Sequence, residues 1–201
     1  MAVNETANAT ETERCFWVGD DPLMIAYHDQ EWGTPCHDDR RLFELLMLDV
    51  NQAGLSWSLI IRKREAFRRA FEGWDPERIA RYGQADLERL LADPGIIRNR
   101  LKIAAAVRNA RAFLELQRER GSFDSYLWSF VGGRPIRHPG LTRETIPART
   151  AESDALSKDL KQRGFTFVGS TVVYAFMQSV GLVDDHLPEC FRYQGSPAHP
   201  A

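Results

Sequence analysis

Residues 90–103 read LLADPGIIRNRLKI. A leucine-rich helical segment is stopped by the Asp-Pro-Gly sequence at 93–95, and a second segment with helical spacing runs from Ile96 to Leu116. In such a hairpin the free N–H groups and the positive dipole end of the second helix attract anions. The stretch therefore predicts a helical hairpin with a phosphate-binding turn, although a plain helix-helix connection has the same Pro-Gly pattern.

Basic residues are concentrated around this hairpin, although the formal net charge of the chain is −2. Arg98, Arg100 and Lys102 follow the turn, and we expect their charge to support a phosphate held there. Residues 62–69 carry five basic residues against one acidic residue. Local patches of this kind can bind phosphate without a basic isoelectric point. Solvated helix faces produce the same pattern, so both interpretations remain open.

Most of the remaining chain also has helical periodicity, which predicts an all-α fold. Further helices are predicted at 40–48, 56–71, 75–82, 85–91, 122–130 and 153–163. Residues 166–183 contain many β-branched side chains, but their length favours a buried helix that is capped by Ser170 or Thr171 and ends at Gly181. The proline- and glycine-rich stretch 132–147 is predicted to be a loop.

The bulk composition is that of an ordinary globular protein, with 201 residues, 43% hydrophobic and 27% charged. No apolar run approaches the roughly 18–20 residues that a membrane-spanning helix needs, so no membrane association is expected. Residues 1–12 are small, polar and acidic and do not resemble a signal peptide, so we expect a disordered tail and a cytoplasmic protein. Residues 194–201 are expected to be flexible.

Cysteine and histidine occur together in two widely separated segments of the chain. Two cysteines and two histidines form a set that suits a closed tetrahedral Zn²⁺ site: Cys15, His28, His186 and Cys190. A metal there would hold the N-terminal segment against the C-terminal segment. The spacing is not that of a zinc finger, Cys36 and His37 are competing candidates, and a chance coincidence remains open.

A single carboxylate, Asp49, lies in the stretch MLDVNQAGLSW, residues 47–57, directly after a row of apolar residues with helical spacing. A buried carboxylate without a partner costs several kcal/mol, which indicates a functional or structural role. Large rings occur in the same part of the chain: Trp17, Tyr27, Trp32 and Trp57. Aromatic faces stack on extruded bases and attract cationic ones, while ordinary core packing is the alternative for each ring.

Taken together, these segments resemble the 3-methyladenine DNA glycosylase I family, which belongs to the helix-hairpin-helix glycosylases. The resemblance extends from Glu13 to Tyr193 and is most specific in the last of its five strings. The strings are CFWVGDDPLMIAYHDQEWG, LFELLMLDVNQAGLSW, DPGIIRNRLKI, LWSFV and DALSKDLKQRGFTFVGSTVVYAFMQSVGLVDDH.

The resemblance implies an all-α helix-hairpin-helix bundle over residues 13–193. Within it, segments 13–35 and 183–193 would form a small lobe around one structural Zn²⁺. Its ligands would be the four residues Cys15, His28, His186 and Cys190, which removes Cys36 and His37. The implied activity is DNA base-excision repair: hydrolysis of the N-glycosidic bond of 3-methyladenine after base flipping, leaving an abasic site without strand cleavage.

The resemblance also implies roles for individual residues. The base pocket would contain Trp17, Tyr27, Asp49 and Trp57, with Asp49 as the catalytic residue. The remaining DNA contacts would come from two turns: Gln52, Gly54 and Leu55 in the intercalating turn, and Pro94, Gly95, Ile96 and Arg98 in the hairpin. The expected partner is double-stranded DNA with alkylated bases. A monomer without an obligate protein partner, associated with a bacterial nucleoid, is also expected.

The sequence departs from the family pattern at the carboxylate itself. Asp49 replaces the usual glutamate, Val50 replaces a glycine, and Met24 stands where an aromatic residue is expected. Loss of one methylene withdraws the carboxylate by about 1.5 Å, enough to turn a direct hydrogen bond into a water-mediated one. Two alternatives follow: a glycosylase that prefers another alkylated purine, or a protein that binds alkylated DNA without cleaving it.

Overall fold

The computed structural model describes residues 12–195, which form a helical bundle with one minimal pair of strands. The α-helices within these residues are α1 Pro22–Gln30, α2 Asp39–Gln52, α3 Trp57–Ala70, α4 Pro76–Ile79, α5 Gln84–Ala92, α6 Arg100–Arg120, α7 Phe123–Ser129, α8 Ala151–Gln162 and α9 Ser170–Ser179. The strands are β1 Ile136–Arg137 and β2 Val183–Asp184, and Glu72–Trp74 forms a 3₁₀ turn. Most of the predicted tail, residues 1–11, and residues 196–201 of the predicted flexible C-terminus lie outside the described residues.

Helix α2 is the centre of the bundle. Every residue from Leu42 to Val50 is buried, and the helix contacts α3, α6, α7 and α9. A helix segment buried on all sides needs no polar face, which is why Leu42 to Val50 are apolar except for Glu44 and Asp49. Asp38 caps its first turn by accepting a hydrogen bond from the Arg41 N–H. Asp49 lies near the C-terminal end of this helix and is therefore buried in the interior of the bundle.

The predicted hairpin is present, but its second helix begins later than predicted. Helix α6 starts at Arg100 instead of Ile96, because the Asn99 side chain accepts hydrogen bonds from the N–H groups of Leu101 and Lys102, at 3.0 and 3.2 Å. The Gly95 N–H donates to Asp93 Oδ1 at 2.7 Å. These three amides are bonded within the protein, so the prediction of free N–H groups is wrong for them.

Two other helix starts differ from the sequence prediction. Helix α1 lies in the N-terminal segment for which no helix was predicted, and it is capped by Asp21 with proline at its first position. The same Asp-Pro signal led to the correct prediction of α4. Helix α9 is preceded by Gly169, which offers no side-chain cap, so Ser170 and Thr171 are not its caps. The predicted stop is close, since α9 ends at Ser179.

The strand pair is the only β-structure within residues 12–195, and it was not predicted. Strands β1 and β2 are parallel, with Ile136 opposite Val183. The pairing attaches the loop 132–147 to the segment that follows α9. At Gly181, just before β2, a Cβ would lie 2.4 Å from the backbone of Thr34 and Pro35, and the residue has a φ of +73°. Glycine is therefore required where these two segments cross.

Candidate functional site

A cleft of about 470 Å³ opens beside the C-terminal end of α2. It is formed by side chains from α1, α2, α3 and α9 and from the loop 132–147, and it contains all four residues of the predicted base pocket. Those four are Trp17, Tyr27, Asp49 and Trp57. Trp32, Met24 and Gln52 also line the cleft. The walls that the sequence did not indicate are Phe16, Ser56, Ser58, Ile146, Ala175 and Gln178, most of which are too distant in sequence or too ordinary in type to give a signal.

Among the described residues that line this cleft, Asp49 is the one carboxylate, and it is only 3% exposed. Its Oδ2 accepts a hydrogen bond from Ser179 Oγ at 3.1 Å. Burial raises the pKa of Asp49 to about 8, against the smaller lowering effect of the Ser179 hydrogen bond. The carboxyl group is therefore mainly neutral at pH 7, and a cation beside it would favour its charged form.

The aromatic side chains form a tilted arrangement around the cleft. The Trp17 and Tyr27 ring centroids lie 6.4 Å apart, and those of Tyr27 and Trp57 lie 5.3 Å apart, at interplanar angles of 59° and 57°. Burial, followed by the charge of Asp49, raises the pKa of Tyr27 well above its usual value, so the phenol stays neutral. Trp57 Nε1 is buried without a hydrogen-bond partner among residues 12–195. The cleft is thus walled mainly by apolar ring faces.

The turn after α2 forms one edge of the cleft. Gln52 Nε2 donates to Leu55 O at 2.9 Å, and Gly54 is exposed with a φ of +80°. Beneath this turn, Lys102 Nζ donates to Asn51 O at 2.8 Å and to Ala53 O at 2.7 Å. The turn is therefore closed on itself and anchored to α6.

The burial of Lys102 corrects a sequence prediction. We expected this side chain to support a phosphate at the hairpin, but it is only 6% exposed and burial lowers its pKa. Arg98 and Arg100 are exposed at the hairpin, as expected. The hairpin turn is held from behind by Lys63, whose Nζ donates to Pro94 O at 3.1 Å and to Gly95 O at 3.0 Å.

The basic stretch 62–69 is largely used inside the protein. Arg64 is buried and forms ion pairs with Glu44 and Glu31, both at 2.7 Å. Arg68 pairs with the same Glu44 at 2.9 Å. These arginines hold α3 against α2 and the segment after α1, so they are neither a phosphate patch nor a freely solvated helix face.

Three of the four predicted metal ligands form a compact buried cluster. The ligand atoms of Cys15, His28 and Cys190 lie within 4.8 Å of one another, and Cys190 Sγ is 3.4 Å from His28 Nε2. His186 lies beside them, with its ring centroid 5.1 Å from that of His28. His186 Nε2 is buried and has no hydrogen-bond partner among the described residues. An orphaned imidazole nitrogen next to two thiols and a second imidazole fits a divalent metal ion.

The other nitrogen of each histidine is held by a carboxylate. Asp29 Oδ1 lies 2.8 Å from His28 Nδ1, and Asp184 Oδ1 lies 2.7 Å from His186 Nδ1. Such partners fix the ring so that Nε2 is left for a metal. Burial lowers the pKa of His28, which favours the neutral imidazole that binds metals.

The competing candidates Cys36 and His37 are not part of this cluster. Cys36 lies in the main hydrophobic core. His37 is exposed, its Nδ1 lies 2.8 Å from Asp124 Oδ1, and its ring stacks on Trp128. The structure therefore separates them from the metal-type cluster.

Comparison with known proteins identifies the family of this chain. A sequence model described as methyladenine glycosylase matches residues 17–193. The chain belongs to the methyladenine glycosylase family. It is 50% identical over 184 residues to the DNA-3-methyladenine glycosylase 1 of Escherichia coli (strain K12), covering 92% of this chain and 98% of that protein.

Solved structures of glycosylases from the same family share the fold. A crystal structure of a 3-methyladenine DNA glycosylase I superposes with a TM-score of 0.88 at 51% identity, covering 90% of this chain and all of the other. A second, in complex with 3-methyladenine, has a TM-score of 0.87 at 36% identity and covers 91% and 99% of the two chains. The all-α family fold predicted from the sequence is confirmed. No helix within residues 12–195 has the length and apolarity to cross a membrane.

Proposed function

We propose that the protein is a DNA-3-methyladenine glycosylase of base-excision repair, acting on double-stranded DNA. The observation that carries this proposal is the buried carboxyl group of Asp49 in an aromatic cleft, in a chain half identical to a DNA-3-methyladenine glycosylase. The cleft can accept a flat base between ring faces and provides one site of negative charge. An adenine methylated at N3 is a flat cation, which matches both properties.

The reaction needs little acid catalysis, because the N3-methylated base already carries a positive charge. The electrons of the glycosidic bond move onto the base, which leaves as neutral 3-methyladenine, and the sugar becomes an oxocarbenium-like centre. Water adds to that carbon and loses a proton, which leaves an abasic site. Trp17, Tyr27 and Trp57 hold the base, and Asp49 accepts a hydrogen bond from its amino edge.

In this proposal, two turns of the protein contact the DNA. The turn containing Gln52, Gly54 and Leu55 reaches into the duplex, with Leu55 filling the space of the flipped base. The hairpin from Pro94 to Ile96, together with Arg98, holds a backbone phosphate. Support comes from the exposure of Gly54 and Arg98 and from the lysines that fix each turn from behind.

We further propose that the cluster binds one structural Zn²⁺ through Cys15, His28, His186 and Cys190. The metal would join segments 13–35 and 183–193 into a small lobe of the single domain 13–193. Trp17 and Tyr27 line the cleft and lie within two residues of the ligands Cys15 and His28, so the lobe supplies one wall of the cleft. The zinc supplies cross-linking only, and no step of hydrolysis passes through it.

The activity can be tested by single-turnover release of bases from methylated duplex DNA. We expect the wild-type protein to release 3-methyladenine, Asp49→Glu to retain release, and Asp49→Asn to lose about 100-fold in rate, as expected for loss of a preorganised charge. The exposed Asp20, changed to asparagine, is the matched control and should release the base at the wild-type rate.

Because Asp49 stands where the family pattern has glutamate, the same assay also distinguishes two alternative functions. Release of another alkylated purine at a rate comparable to 3-methyladenine would favour a shifted substrate range. A wild-type protein that binds abasic DNA but releases no base, while Asp49→Glu does release it, would contradict the proposed activity and favour a binding protein.

A further inference from the structure

Gln178 is a polar side chain in the wall of the cleft that the proposed mechanism does not use. It lies on α9, one turn from Ala175, and both residues line the cleft. Its Nε2 donates to Asp185 Oδ2 at 2.7 Å. Among residues 12–195, no hydrogen-bond donor contacts its Oε1. One end of the amide is therefore fixed by the protein, and the other end remains free to accept a hydrogen bond.

Asp185 determines which end of the amide is free. It is only 1% exposed, and its Oδ2 also accepts from the Tyr174 hydroxyl at 2.5 Å, while its Oδ1 lies 2.8 Å from His138 Nδ1. A carboxylate can only accept hydrogen bonds, so the amide of Gln178 must turn its NH₂ group towards it. Rotating the amide by 180° would place two oxygens against each other in the interior, which is unfavourable. The orientation of Gln178 is thus locked by a residue behind the cleft wall.

We propose that Gln178 is a specificity-determining residue that reads the exocyclic group at position 6 of the flipped purine. Its Oε1 and the carboxylate of Asp49 would together provide two acceptors, which suit the two hydrogens of an adenine amino group. A guanine-type base presents an oxygen at the same position, which would face acceptor oxygens and be rejected. This inference rests on the proposed function, because it takes the flipped base as the occupant of the cleft.

Discrimination between adenine-type and guanine-type bases requires the fixed orientation of the Gln178 amide. A freely rotating glutamine amide could offer its NH₂ to O6 of a guanine-type base as readily as its carbonyl to an amino group. Asp185 removes that second option while remaining outside the cleft lining. Selectivity should therefore depend on Asp185 as a positioning residue, although it would not touch the base.

The test measures, by the fluorescence of the cleft tryptophans, the binding of free 3-methyladenine and free 3-methylguanine at pH 9, above the pKa of Asp49. Release of both bases from methylated duplex DNA is measured in parallel. We expect Gln178→Met to weaken 3-methyladenine binding about three- to tenfold, as for loss of one hydrogen bond, and to narrow the preference over 3-methylguanine. Asp185→Asn can donate as well as accept, so it should free the amide and increase 3-methylguanine binding. Tyr174→Phe removes a different donor from the same carboxylate oxygen and should keep the wild-type ratio.

Thermal unfolding and zinc content identify any variant that has lost its fold. Gln178→Met leaves Asp185 and its other partners, Tyr174 and His138, in the protein. A wild-type ratio of the two affinities in Gln178→Met, or a wild-type protein that binds both bases equally or binds neither, overturns the inference. The inference and the proposed function can fail separately. If the wild type prefers 3-methyladenine and Gln178→Met loses that preference, the inference stands. If, in addition, neither protein releases a base from DNA, the proposed catalytic function fails.

Discussion

Among the described residues Asp49 has one hydrogen-bond donor, Ser179, and its burial favours the neutral form of the carboxyl group. A cationic base beside it favours the charged form, so binding of an N3-methylated adenine should release a proton at neutral pH. Binding should consequently strengthen as the pH rises towards about 8, the pKa of this group without ligand. The carboxyl group acts as a counter-charge that is present when the cationic base is bound.

The same pKa predicts how the stability of the protein depends on pH. In the unfolded chain Asp49 ionises near pH 3.9, whereas in the folded protein it ionises near pH 8. Between these values the folded state holds the extra proton, so this group makes the protein less stable as the pH rises. Asp49→Asn lacks this effect. We expect its free energy of unfolding to rise relative to wild type between pH 5 and pH 8, by up to about 1.4 kcal/mol per pH unit.

Urea unfolding of both proteins at pH 5, 6.5 and 8 checks this prediction. The difference between the two proteins is the relevant quantity, since other titrating groups contribute equally to both. Asp20→Asn should show no such trend. A difference between wild type and Asp49→Asn that stays constant over this range would show that Asp49 is not held neutral by burial.

Among helices, the end of α2 depends on one lysine of α6. Replacing Lys102 with methionine keeps the length of the side chain but leaves the carbonyls of Asn51 and Ala53 without their donor. We expect a loss of about 1–3 kcal/mol in stability and faster amide hydrogen exchange in residues 51–55. DNA binding should weaken, because the turn at Gly54 and Leu55 would no longer be held in place.

The exposed Lys158, changed to methionine, is the control for the loss of one positive charge. If Lys102→Met and Lys158→Met reduce DNA affinity equally and exchange in residues 51–55 is unchanged, Lys102 acts only through its charge. An effect confined to Lys102→Met supports anchoring of the turn.

Apolar periodicity was enough to predict α2 and α3, and the length of the segment favoured α9 over a strand, but neither signal showed the roles of the polar residues in these helices. Lys102 was grouped with Arg100 because they are close in sequence, yet two positions along a helix point to nearly opposite sides. The start of α6 was also missed, because the apolar residues Ile96 and Ile97 continue the helical pattern across the turn. Asn99, a residue type common at N-caps, was the signal for the true start. Gln178 gave no signal at all, because its role depends on Asp185, which lies beyond the end of α9.

For the whole molecule, the decisive contact is between the N-terminal and C-terminal segments. We expect Cys190→Ala to lose stoichiometric zinc and to weaken zinc binding by more than the roughly 10–100-fold that loss of an outer partner costs. Its melting temperature should fall further than that of Cys36→Ala, which also removes a buried thiol but one outside the cluster. Metal analysis and thermal unfolding measure both effects. Equal destabilisation by the two variants, without a change in zinc content, would contradict the proposed metal site.

The sequence predicted the contact between the N-terminal and C-terminal segments only in part. Residue types identified the donors, and three of them do lie within 4.8 Å of one another, but spacing along the chain contains no distance in space. The strand pair that places the loop 132–147 beside Asp184 is two residues long on each side, too short to leave a pattern. Ile146, which this loop brings to the cleft, could not be anticipated for the same reason.

The residues that meet in the cleft and in the metal-type cluster are far apart in sequence. This separation determines when the cleft can form during synthesis. Asp49 meets Ser179 across 130 positions, and His28 meets Cys190 across 162. Contacts of this range form late in folding, because the intervening loop must be closed first. A nascent chain on the ribosome therefore carries the rings and Asp49 long before it carries Gln178, Ser179 and Cys190. A polypeptide from a message interrupted before these codons would have no complete cleft and no means of joining its two segments.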